Sequence, residues 1–282
     1  MAHAGAGDPR LHPVDQRLLD LEVGEDPCVS RFVVTPQLSR MDRRLYGGTA
    51  LAVALAASEA ATGRDALWTT VQFVASAELG ERVDVAIDLV ARGRSVDQYQ
   101  LRATVGDRLV FGAMGANASA RPDGLAGVGE VMPQVRAPED CVVSPASDGL
   151  QRGEVGQHLV SEYRDAPPLV STGNPARLTM WARLRGEEET TPAKLGFVAD
   201  MVPVVVARAC GVLGAGTSLD NTLRFGRLVD SEWVLLELLA HVAEGGYGHG
   251  TVHVWSRDGV LLATGSQSST LFSIESFRQR FA

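Results

Sequence analysis

Three positions carry side chains whose types suit chemistry and whose surroundings set them apart. Asp200 lies within the apolar run Leu195-Gly-Phe-Val-Ala-Asp-Met-Val-Pro-Val-Val-Val206. An ionised carboxylate there is costly to bury without partners, so it marks either a site or an exposed helix turn ahead of Pro203. Gln267 is an amide in the strand-like run Ala263-Thr-Gly-Ser-Gln-Ser-Ser269, and Thr217-Ser218-Leu219-Asp220 opens another strand after a Gly-rich turn. Taken singly, Gln267 reads as a solvent-facing residue of an edge strand and the Ser218 hydroxyl as an ordinary turn hydrogen bond. Taken together, a carboxylate with neutral amide and hydroxyl groups is the equipment of a hydrolytic site.

Other chemistries find less support. No GxSxG elbow, P-loop or complete GxGxxG is present: Gly127-Val-Gly129 is followed by Met132, and Gly214-Ala-Gly216 by Leu219, where the last glycine belongs. The six histidines form no HExxH; His249 and His253 lie four apart in a predicted strand and read as exposed or hydrogen-bonded, so no metal site is expected. Cys28, Cys141 and Cys210 are scattered without a CxxC pair, which fits a reducing cytoplasm, and Cys210 reads as a buried structural thiol. The 26 basic residues against 34 acidic ones give a formal charge of −8, which argues against general affinity for nucleic acid or an anionic membrane. No apolar stretch is long enough for a membrane span, and residues 1–14 have no apolar segment behind a basic head, so secretion is not expected.

The elements that must position these residues follow from periodicity. At 282 residues with 45% apolar types, the chain is long enough for about two domains or one double-length unit with a large core. Gly47 to Gly63 is dominated by Ala and Leu, with glycines at both ends, and predicts a buried helix. Strand-like runs follow at 67–75, 82–91, 98–105 and 109–117, the last two split by Gly106-Asp107-Arg108. The second half repeats the scheme, with one helix from Pro192 to Gly211 and strands near 217–228, 233–243, 250–256 and 260–270. Thr70-Val-Gln-Phe73 resembles Thr222-Leu-Arg-Phe225 at a spacing near 150 residues, so a duplicated α+β unit is the economical account. Seven of the thirteen prolines fall between Pro122 and Pro175, which predicts a first repeat at 1–120, a connector at 121–176 and a second repeat at 177–282.

Together these segments resemble the type II acyl-CoA thioesterases. The matches are Tyr46-Gly47-Gly48 opening the first helix, Arg92-Gly93-Arg94-Ser95 in the first meander and Leu195-Gly-Phe-Val-Ala-Asp200 in the second helix. Further on come Ser218-Leu219-Asp220-Asn221 with Arg224-Phe225, and Asp258-Gly259 running into Gln267. They span nearly all of residues 30–272 in order. The resemblance implies an α+β fold of the double-hotdog type, two repeats of an antiparallel sheet wrapped around a central helix. It implies Asp200, Ser218 and Gln267 as the catalytic set that holds a water against the thioester of a fatty acyl-CoA, giving free acid and CoA with no cofactor.

Gly47 and Gly48 would offer backbone N–H groups at a helix start to the developing oxyanion, and the acyl chain would lie in an apolar channel beside the second helix. Arg92, Arg94, Arg224 and Arg227 are candidates to meet the CoA phosphates. A hotdog sheet edge tends to pair, so a homodimer or higher homo-oligomer is expected. The first repeat has Gly48-Thr49 where the second has Asp200, and Asn117 near the counterpart of Gln267, so one complete site per chain is expected. Gly226 stands after Arg224-Phe225 where the family commonly has His, and Glu78-Leu-Gly80 stands where it has a Pro-Gly turn. These departures leave open a non-catalytic acyl-CoA-binding hotdog protein; a hotdog dehydratase or hydratase is disfavoured by the lack of a His near either helix start.

Overall fold

The structure is a computed structural model and describes residues 8–127, 129–144, 154–170, 173–212 and 214–273. The chain begins with a short helix, α1 (Pro13–Leu19), and strands β1 (Glu22–Val23) and β2 (Val29–Val33). Helix α2 (Gly47–Thr62) follows, then a meander of β3 (Asp65–Phe73), β4 (Arg82–Arg92), β5 (Val96–Val105) and β6 (Arg108–Ala118). Small side chains let the sheet close on α2 from several sides, so that between Gly48 and Ala61 every residue but Glu59 is buried. The helix stops at Gly63, whose φ of 65° is the left-handed cap that a glycine adopts without strain.

The second half adds β7 (Val142–Val143), β8 (Ser161–Asp165) and β9 (Arg177–Leu184), helices α3 (Pro192–Val198) and α4 (Val202–Ala209), and a meander of β10 (Gly214–Phe225), β11 (Val234–Glu244), β12 (Tyr247–Ser256) and β13 (Leu261–Ser273). The thirteen strands of the described residues form one antiparallel sheet in the order β1-β2-β4-β5-β6-β3-β10-β13-β12-β11-β9-β8-β7. Read from the centre outward, β3-β6-β5-β4-β2 mirrors β10-β13-β12-β11-β9, so the duplication expected from sequence is a two-fold arrangement of like units. Its axis is marked by the pair Thr70 and Thr222, which are 152 residues apart, face each other across β3 and β10, and share a hydrogen bond of 2.8 Å. Residues 142–143 and 161–165, within the expected connector, supply β7 and β8, which extend the sheet beyond β9.

The helix expected over 192–211 is two helices. Pro203 has no N–H to offer the Ala199 carbonyl, and its ring crowds that group, so the helical ladder fails at 199–201 and restarts at Val202. Asp200 sits in this break. The start of α3 is tied down by Thr191, whose hydroxyl oxygen accepts from the Lys194 N–H at 3.0 Å and which donates to Asp15 of α1 at 2.5 Å. Lys194 is fully buried and donates to the Glu187, Glu189 and Ser231 carbonyls. Cys210, expected inside a helix and buried, instead follows the end of α4 and is exposed. His253 faces Glu237 across β11 and β12 at 3.7 Å, an acidic neighbour that strand pairing supplies and sequence distance hides. No helix among the described residues is long and apolar enough to cross a membrane.

Two carboxyls, Asp15 buried and Glu59 half-buried, set a stability trend with pH. Burial raises Glu59 to about 8 and Asp15 to about 6, despite the Ala66 N–H donated to the one and the Thr191 hydroxyl to the other. Between 4.5 and 8 the folded chain keeps the Glu59 proton that the unfolded chain has released, so this contribution to stability falls as pH rises through that window. Glu59→Gln can still accept from Ala66 and carries no charge. It should therefore raise Tm at pH 8 by roughly 2–4 °C for each ~1 kcal/mol recovered, and leave it unchanged near pH 4, as read by thermal denaturation.

Candidate active site

The break between α3 and α4 faces inward onto β10 and β13. Asp200 is 9% exposed, and its Oδ1 accepts from the Gln267 side-chain amide at 2.5 Å and the Asn221 side-chain amide at 3.0 Å. The same Gln267 nitrogen donates to the Ser218 hydroxyl oxygen at 2.8 Å. Asp200, Ser218 and Gln267, singled out separately in the sequence, are thus brought to one point. The Gln267 carbonyl oxygen Oε1 is buried and has no hydrogen-bond partner among the described residues.

Asn221 was not anticipated, and the reason is geometric. Three residues apart on a regular strand, Ser218 and Asn221 would face opposite sides of the sheet. The pairing of β10 with β13 runs Ser218 to Ser269, then Asp220 to Ser268 and Asn221 to Gln267, so Leu219 is an unpaired bulge. The extra residue turns Ser218 onto the face that Asn221 shares. An identical bulge at Leu67 interrupts the pairing of β3 with β6, 152 residues earlier.

That offset shows what the first repeat holds at the matching places. Ala66 corresponds to Ser218, Thr69 to Asn221 and Gly115 to Gln267, and the same 152-residue offset counted back from Asp200 falls on Gly48. Asn117, expected near the counterpart of Gln267, matches Ser269 instead and bonds within its own repeat to Ser58 and Thr62.

The first repeat contributes from its helix start. A Cβ placed on Gly47 would lie 2.5 Å from Asp200 Oδ2, and one on Gly48 would lie 2.4 Å from the Phe197 carbonyl oxygen. Only glycine permits this approach of α2 to the end of α3. Burial pushes the Asp200 carboxyl above its ordinary value, and the Gln267 and Asn221 amides, the Gly48 N–H and the charge on Arg40 partly offset that rise. The positive end of α2 acts in the same direction.

The four arginines lie elsewhere. Arg92 and Arg94 are exposed in and beside the β4–β5 turn, whose Gly93 and Arg94 carbonyls accept from Arg64, just past the C-terminal end of α2. The 16 residues of α2, about 24 Å of helix, separate that end from Gly47 and Asp200. A cavity of about 460 Å³ opens at the same far end, lined by Arg10, Glu59, Arg64, Thr191 and Leu228 among others. Arg224 and Arg227 are exposed on and after β10, Arg224 lying three residues beyond Asn221. Among the described residues no three His, Cys, Asp or Glu side chains gather to hold a metal ion.

Comparison with protein families decides the lineage. Residues 35–118 match the acyl-CoA thioesterase N-terminal domain and residues 138–271 the acyl-CoA thioesterase C-terminal domain. The chain belongs to the acyl-CoA thioesterase family. Among solved structures, a candidate thioesterase from Novosphingobium aromaticivorans superposes with a TM-score of 0.79 at 28% identity, over 89% of this chain and 97% of its own. A hot dog fold protein from Alicyclobacillus acidocaldarius gives 0.78 at 21% identity, over 93% of this chain and 99% of its own. An acyl-CoA thioesterase II from Mycobacterium marinum gives 0.74 at 18% identity, over 92% and 98%. The last two likenesses bear on fold alone, and the fold is the double hotdog. No curated protein matches the chain in sequence.

Proposed function

We propose that this chain hydrolyses the thioester of a fatty acyl-CoA, with Asp200 as general base and Ser218 and Gln267 holding the attacking water. The observation that carries the reading is the buried Asp200 carboxylate, bound at Oδ1 by two amides, beside a Gln267 carbonyl oxygen with no partner. A water between them would give one hydrogen bond to the carboxylate and one to Gln267 Oε1. As its oxygen attacks the thioester carbon, its proton passes to Asp200; the C–S bond then breaks and the proton leaves with the CoA thiolate. Burial suits this role, because a carboxylate of raised pKa is a stronger base than one in water. Ser218 accepts from Gln267, which leaves the Ser218 proton for the water or the substrate carbonyl.

Among the described residues the Gly47 N–H has no backbone acceptor, and it stands at the positive end of α2, where charge on the substrate oxygen would be favoured. Arg224 and Arg227, on the side of β10, are the arginines we assign to CoA phosphates, and Arg92 and Arg94 remain candidates for a phosphate at the far end of α2. Release of free thiol from acyl-CoAs of increasing chain length tests the assignment. Ser218→Ala and Gln267→Ala should each cost about 10-fold in kcat, since orientation is lost and the base remains. Tight binding of acyl-CoA without thiol release would transfer the assignment to a binding protein. Because the base must be ionised, kcat/KM should fall as pH drops through the Asp200 pKa, on the acid side of the profile and above the usual carboxylate range.

A further inference from the structure

The helix break that carries Asp200 leaves two carbonyls that the backbone cannot serve. In an unbroken helix the Val198 carbonyl would accept from the Val202 N–H and the Asp200 carbonyl from the Val204 N–H. Here the Val204 N–H goes to the Met201 carbonyl at 3.1 Å and the Met201 N–H to the Ala199 carbonyl at 2.8 Å. The stranded carbonyls are taken by two tyrosines. Tyr163 of β8 donates to Val198 O at 3.3 Å, and Tyr46, the residue that caps α2, donates to Asp200 O at 3.3 Å.

Both tyrosines are buried, at 2% and 4% exposure. Each brings one proton, so the pair can serve both carbonyls at once. The Tyr46 ring also meets Phe197 of α3 edge-on, with centroids 5.3 Å apart. Burying two hydroxyls in a core is unfavourable unless they are paired, so plain packing would be better served by phenylalanine. What the hydroxyls add is a grip on the peptide groups that follow Val198 and Asp200, one on each side of the Asp200 Cα.

We propose that Tyr46 and Tyr163 are positioning residues that clamp the break at 199–201 and so hold the Asp200 carboxylate on Gln267 and Asn221. The proposal deepens the assignment of Asp200 as base and rests on it for its kinetic consequence. A base displaced by a fraction of an ångström loses catalytic power without losing substrate affinity. The effect would therefore fall on kcat.

Tyr46→Phe, Tyr163→Phe and the double variant keep the rings and remove the hydroxyls. Each single variant should lower kcat for acyl-CoA about 10-fold with KM within about twofold, and the double should lose less than the product of the two, because they share one clamp. Amide hydrogen exchange at Met201 and Val204 should quicken in all three, a readout that does not depend on turnover. Parent-like kcat in both single variants, whatever happens to Tm, or unchanged exchange at Met201 and Val204, would overturn the clamp. Should one variant fail to fold, the other, on a separate element, gives the same readouts. Asp200→Asn measured alongside separates the two readings. Full activity there removes the base assignment while exchange still judges the clamp; an inactive Asp200→Asn beside parent-like phenylalanine variants removes the clamp alone.

Discussion

Asp200→Asn should lower kcat by roughly 10²- to 10⁴-fold and leave KM within about threefold. The substitution keeps the side chain's size, so the pocket around the break is retained. An asparagine oxygen in place of Oδ1 can still accept from Gln267 and Asn221. What disappears is the lone pair that takes a proton at working pH. The acid limb of the pH profile should disappear with it, since no other group with a raised carboxyl pKa bonds to Gln267. Folding should suffer little, because a buried charge is removed, although the new amide would face the Gly48 N–H donor to donor. Thiol release across pH 4–9, paired with a melting curve, separates lost chemistry from lost structure.

Gly48→Ala should have the next largest effect, and on both properties. Its Cβ would stand 2.4 Å from the Phe197 carbonyl oxygen and 2.5 Å from the Tyr46 ring, and the first of these is backbone that cannot swing aside. The start of α2 must then move off the end of α3, at an overpacking cost of roughly 1–3 kcal/mol, and carry the Asp200 surroundings with it. Tm should fall by about 2–4 °C per kcal/mol, and kcat by at least about 10-fold. Gly47→Ala is the instructive contrast. There the clash, at 2.5 Å, is with Asp200 Oδ2, a side-chain atom that can be pushed away. It should spare Tm and depress kcat, and the difference between the two glycines would show that α2 touches the carboxylate itself.

Much of this arrangement was legible in the chain. Ala-rich composition and flanking glycines marked α2, and alternation marked eight strands to within a few residues. The likeness of Thr70 to Thr222 announced the duplication that their pairing makes explicit. Asp200, Ser218 and Gln267 stood out because each is a polar residue in apolar or strand surroundings. The rest depends on contacts that local periodicity does not contain. Pro203 could have signalled the helix break, but an apolar run with Pro near its start also reads as one helix. Asn221 was hidden by the Leu219 bulge, which overturns the two-residue alternation, and Tyr163 by the irregular composition around β8. The separation of Arg92 and Arg94 from Asp200 follows from where the β4–β5 turn packs against α2, which no motif records.

Asp200 is assigned to activate water rather than to attack the thioester itself, and one experiment distinguishes the two directly. A single turnover of acyl-CoA by excess enzyme in ¹⁸O-labelled water is followed by mass spectrometry of the released acid and of the peptide containing Asp200. Water attack predicts one ¹⁸O atom in the free acid and none in the Asp200 side chain. An unlabelled acid with ¹⁸O in Asp200 would mean that the carboxylate formed an anhydride with the acyl group, and would contradict the general-base role.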